Sequence, residues 1–154
     1  MRRSDDEVYP LVSRALASIE VETSMWSVKS STVKLSFTVK EEDVQPLQSW
    51  RSRFGIPVLV FQVFVDELHF APLDAILEGG RLRKDRSTGK HTYFYPISGD
   101  SRLADIEGLE VEAKLEFDEK GKIVVFPVIS GGRFANLNES AISRLGELLR
   151  ARKR

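Results

Sequence analysis

Cysteine is absent from the 154 residues, so the chain has no disulfide framework, no thiolate nucleophile and no cysteine-ligated zinc site. Histidine is scarce as well. The two present, His69 and His91, lack the sequence neighbours of a catalytic base or a zinc ligand, and both are assigned structural roles. Any metal must then be a hard ion held by carboxylates. No run approaches the ~18 apolar residues of a membrane span, and "MRRSDDEVYP" contains no apolar export core. The expectation is a soluble, cytoplasmic protein with no membrane partner. A net field is missing too: 23 Lys and Arg balance 23 Asp and Glu, so anion binding has to come from local clusters. There is no internal repeat and no low-complexity tract.

What is present suits one domain, since 42% hydrophobic and 30% charged residues in this length build a single core. Residues 5–19 place Val8, Leu11, Val12, Ala15, Leu16 and Ile19 at helical spacing behind leading acids, predicting an amphipathic first helix. "IEVE", "WSVK" and "TVKLSFTVK" alternate apolar and polar residues and read as adjacent antiparallel strands. "EEDVQPLQSWRSRFG" is a helix opened by acids and stopped by Gly55 and Pro57, with Pro46 expected in its first turn. "PVLVFQVFV" is apolar on both faces, as a central covered strand should be, and its one polar residue, Gln62, requires a buried partner. A short helix "PLDAILEGG", a basic hairpin tip "RLRKDRSTGKH" and a strand "TYFYPI" follow. "LEVEAKLEF" and "KIVVFPVI" flank "DEKG" as a hairpin, and Asn138 caps a last helix. The predicted fold class is α+β or α/β: a mixed, largely antiparallel sheet flanked by helices. The whole of 1–154 forms one domain, with a core over about 5–71 and a C-terminal hairpin and helix at 109–154.

Helix, hairpin, strand, helix and central apolar strand over residues 5–71 resemble the core of the PD-(D/E)xK nuclease superfamily, above all archaeal Holliday-junction resolvases and small restriction-type endonucleases. The residues that carry the likeness are Ser27-Val28-Lys29, then "SSTVKLSFTVK", "LQSWRSRFG" and "IPVLVFQVF", about residues 19–71. The resemblance implies a restriction-endonuclease-like sheet and phosphodiester hydrolysis with Mg²⁺ or Mn²⁺ held by two carboxylates beside a lysine. Lys29 stands in the lysine position. Ser27 replaces the acid two residues before it, and Glu41, Glu42 or Asp43 at the start of the following helix offers a migrated carboxylate. Glu20 and Glu22 are the candidates for the first acid, and Gln62 completes the candidate set. These acids are expected to converge near the Lys29 ammonium.

The implied function is a divalent-metal-dependent DNA endonuclease of restriction or resolvase type, acting as a homodimer because symmetric cutting of two strands uses two copies of one site. The alternative is a catalytically inactive nuclease-like domain that binds nucleic acid or a partner protein; a third reading is a small-ligand or interaction domain. Asp100 with Glu112-Ala113-Lys114 repeats the motif spacing. There, however, Glu110, Glu112, Lys114 and Glu116 alternate with apolar residues as the solvent face of any hairpin strand does. Arg81, Arg83, Lys84, Arg86 and Lys90 form a basic cluster that would track DNA phosphates or stand as a solvated tip. The terminal "RARKR" reads as a soluble helix end.

Overall fold

In the computed structural model, residues 14–151 are described. Most of the expected first helix, and the end of "RARKR", lie outside them. Its described end is not helical: residues 14–17 turn into a strand that starts at Ser18.

Five strands form the main sheet in the order β1 (Ser18–Thr23), β3 (Val58–Val63), β4 (Glu67–Pro72), β7 (Arg102–Phe117) and β8 (Ile123–Ala135). A second sheet has the order β2 (Ser36–Lys40), β6 (His91–Pro96), β5 (Arg81–Lys84). Among the described residues, three helices complete the α+β fold: α1 (Glu41–Phe54), α2 (Leu73–Gly79) and α3 (Glu139–Arg150). Among the described strands only the β1–β3 pair is parallel, and the chain crosses between those two strands by way of β2 and α1. That crossover sets the start of α1 against the β1–β3 ladder. No helix among the described residues is long and apolar enough to cross a membrane.

The double-sided apolar pattern of β3 has the cause expected of it. Val58 and Val60 join Phe37, Val39, Leu47 and Ile76 in one core, while Phe61 and Val63 turn the other way and pack with Leu68, Phe70 and Ala141 beneath α3. Each fully buried aliphatic side chain stabilises the fold by roughly 1.5–3 kcal/mol of transfer free energy. Gln62 is 1% exposed, and the partner it requires is the Thr38 amide, which donates to its Oε1 at 3.1 Å.

Three local expectations need correction. "IEVE" and "TVKLSFTVK" are not paired: β1 runs beside β3, and β2 pairs with β6 in the other sheet. "WSVK" is not a strand, since 24–27 are irregular and 28–30 form a turn. Finally, α1 begins at Glu41, so Pro46 lies inside the helix and not in its first turn, leaving the Glu42 carbonyl without its usual donor. Gly55 ends α1 as read, with φ 63° and its amide bonded to the Arg51 carbonyl at 2.9 Å.

Candidate functional site

β1 carries the first departure from ordinary patterning. Its apolar residues Ile19 and Val21 face outward at 51% and 56% exposure, while Glu20 and Glu22 turn inward and are half-buried. Local hydrophobicity would have chosen the opposite orientation. The ladder explains how the glutamates are held: Glu20 pairs with Val60 and Glu22 with Gln62, so both lie on the face that α1 approaches. Asp43, in the first turn of α1, completes the group. One carboxylate oxygen from each of Glu20, Glu22 and Asp43 lies within 4.8 Å of the others.

Electrostatics register this crowding. The Glu22 carboxyl is pushed up to about 7, first by burial, then by the charge of Glu20 and a hydrogen bond with it; Asp43 adds to the rise and Lys40 opposes it. Lys40, the last residue of β2, thus supplies a positive charge beside Glu22, and Lys90 one beside Asp43. Glu22, Lys40 and Gln62 line one cleft of about 660 Å³, together with Lys34, Arg83 and Trp26. The Gln62 carbonyl is committed to the Thr38 amide, which fixes the side-chain orientation; its amide nitrogen has no hydrogen-bond partner among the described residues.

Lys29 is not part of this cluster. The Ser27–Lys29 segment instead wraps the Asp66 carboxylate, which accepts from Ser27 Oγ at 2.7 Å, the Val28 amide at 2.8 Å and the Lys29 amide at 2.9 Å. Burial pushes Asp66 upward, but these hydrogen bonds outweigh it and hold the group below its ordinary value. The Lys29 ammonium pairs with Asp105 at 3.2 Å, and Asp105 also accepts from Asn136 at 2.9 Å. Ser27 and Lys29 therefore belong to a segment anchored to the β3–β4 connection, with the Lys29 ammonium engaged by Asp105 of β7 and not by the acids it was expected to serve. Of the acids that open α1, only Asp43 joins Glu20 and Glu22: Glu42 bonds Lys90 at 2.5 Å on the surface, and Glu41 is exposed.

The competing acid pattern does not assemble. Asp100 lies in a short 3₁₀ turn beside α3, where its carbonyl accepts from Arg144. Glu112 and Lys114 sit far along β7, roughly 30 Å away at ~3.3 Å per strand residue. Arg81, Arg83 and Lys84 form β5, and the 85–90 tip carries Arg86 and Lys90, so the basic cluster is an exposed hairpin as read. Arg83 stacks 4.2 Å above the Phe94 ring and lines the cleft. His69 does have partners that sequence neighbours did not reveal: buried at 2% exposure, it contacts Glu67 at 2.9 Å and Ser101 at 2.8 Å. Burial keeps its pKa low against the pull of Glu67. The residue that sequence reasoning missed is Lys40. Its signal was present, as the final residue of the alternating run "SFTVK" immediately before three acids.

Compared with known proteins, the chain matches no family model, no curated protein and no solved structure.

Proposed function

We propose that the protein is a divalent-metal-dependent DNA endonuclease whose site is Glu20, Glu22 and Asp43, with Lys40 in the role expected of Lys29. The observation that carries this reading is the inverted β1 strand. Half-burying two glutamates beside an aspartate while leaving Ile19 and Val21 in water is unfavourable for folding alone, and local rules are broken in this way where a ligand compensates.

The donor set fits a hard cation. Three carboxylate oxygens within 4.8 Å of one another can share an ion whose oxygen ligands stand at about 2.0–2.6 Å. Glu20, Glu22 and Asp43 would hold Mg²⁺ or Mn²⁺, which supplies Lewis-acid stabilisation of phosphate charge when bound. Lys40 offers a positive charge on the cleft side of Glu22. Gln62 contributes a fixed amide donor, free to bond an oxygen of the substrate. Lys34 and Arg83 border the cleft as phosphate contacts, and Trp26, 63% exposed, offers a surface for a base.

The test is cleavage of plasmid and branched DNA with Mg²⁺ or Mn²⁺. Glu22→Gln and Asp43→Asn should lower the rate by about a hundredfold or more, and Lys40→Ala by about tenfold or more. Lys29→Ala should stay within about threefold of wild type, since its ammonium is engaged by Asp105 and not by the acids of the site, and Asp105 keeps Asn136 and Arg102 as partners. Wild-type rates in both acid variants would remove this site. Absence of cleavage with retained DNA binding would leave the inactive, binding-only alternative.

A further inference from the structure

Beyond the sheet, β7 and β8 continue as a two-stranded arm that no other described strand pairs with, because β4 reaches only as far as Asp105. Its two faces differ sharply. In register, Val111 stands opposite Ile129, Ala113 opposite Pro127, Leu115 opposite Val125 and Phe117 opposite Ile123, so one face is an apolar ladder without a single charge. The other face pairs Glu110 with Ser130, Glu112 with Val128, Lys114 with Phe126 and Glu116 with Val124. A lone two-stranded ribbon is marginal in water, and neither buried core reaches this one.

We propose that the apolar face of the arm is the interface with a second copy of this chain, the two arms stacking face to face in opposite directions. Area is the first argument. Six of its side chains, from Ile129 at 39% to Phe117 at 76%, remain exposed, leaving an apolar patch of roughly 600 Å², at the upper end of what soluble monomers carry. Two such faces together bury about 1,200 Å², which reaches the lower bound of specific interfaces.

Self-complementarity is the second. With a two-fold axis through Ala113 and Pro127, the smallest pair of the ladder lies on itself, and the Leu115–Val125 pair lies on Val111–Ile129. The bulky Phe117–Ile123 tip then falls on the Leu109–Gly131 pair, where one strand has no side chain at all. The small central pair and the glycine opposite Ile123 leave room for the larger side chains of the stack. DNA is a poor occupant of this face, which offers no cation and is backed by Glu110, Glu112 and Glu116.

Light scattering and sedimentation at tens of micromolar should give the mass of two chains. Leu115→Glu with Val125→Glu should weaken association by at least about a hundredfold, through charges buried without partners, while leaving the helical band of the circular dichroism spectrum, which comes from elements outside the arm, unchanged. The chain has no cysteine, so a single introduced one reports geometry cleanly. Ala113→Cys, on the two-fold axis, should cross-link through a short bis-maleimide into covalent dimers, and Glu112→Cys on the opposite face should not. A monomeric wild type, a dimer unaffected by the charged pair, or equal cross-linking from both faces would each overturn the proposal.

Discussion

Glu22 concentrates the tension of the candidate site in one titration. With a folded value near 7 against an ordinary 4.5, it keeps a proton that the unfolded chain has already released. Across that interval the folded state binds more protons, so stability falls as pH rises from about 4.5 to about 7 and remains lower above it. Glu22→Gln removes the titrating group but keeps the shape. In thermal denaturation with a chelator, the variant should therefore melt higher than wild type at about pH 8, and the gap should close toward about pH 4. Millimolar Mn²⁺ should raise the wild-type midpoint and leave the variant's nearly unmoved, because a cation that binds only the folded state stabilises it by mass action. A gap of equal size at both pH values would show that the carboxyl is not held protonated by its surroundings. Sequence alone could name Glu20 and Glu22 but not orient them: "SIEVET" alternates equally well with either face inward, and its apolar residues favoured the wrong one.

At the scale of elements, legibility followed the range of the interactions involved. β3 was readable because its apolar residues serve two cores at once, and the β7–β8 hairpin because "DEKG" closes it locally, the Asp118 carboxylate accepting from the Lys120 and Lys122 amides at 2.9 and 2.8 Å. Ser27–Lys29 was not readable, since the group that shapes it, Asp66, lies 37 to 39 residues further along the chain. The parallel β1–β3 pairing was hidden for the same reason, each partner separated by the whole of β2 and α1. This view of the turn makes its own demand. Asp66→Ala leaves the Ser27 hydroxyl and two amides without an acceptor in a half-buried place, which should cost about 1–3 kcal/mol in denaturant unfolding. Lys29→Ala, which loses an ammonium 55% exposed, should cost less than about 1 kcal/mol. The reverse order would restore Lys29 as the more important member of the segment.

The neutral whole molecule is neutral by segregation. Carboxylates gather at Glu20, Glu22 and Asp43 and along the back of the arm, while cations gather on the β5–β6 hairpin that borders the same cleft as Glu22. A polyanion directed to the cleft would then meet Arg83 in its lining, with Lys84 and Arg86 beside it on the same hairpin to steer it locally. Not every cation of the hairpin is equivalent. Lys90 is already paired with Glu42, an interaction that raises its pKa, and it has least to give to a phosphate. Arg83, Lys84 and Arg86 form no salt bridge among the described residues, and Arg83 is oriented by the Phe94 ring. Neutralising these three together should weaken DNA binding for all sequences alike. It should also flatten the dependence of log affinity on log salt by up to about 2.7, since each lost duplex contact removes a slope of about 0.9. Lys90→Ala alone should change that slope by much less than one contact. The measurement is a salt titration of binding by fluorescence anisotropy in the presence of chelator, which isolates phosphate contact from any metal-dependent step. An unchanged slope in the triple variant would return the hairpin to ordinary solvated surface, and a Lys90→Ala effect equal to the others would mean that the Glu42 pair opens when DNA binds.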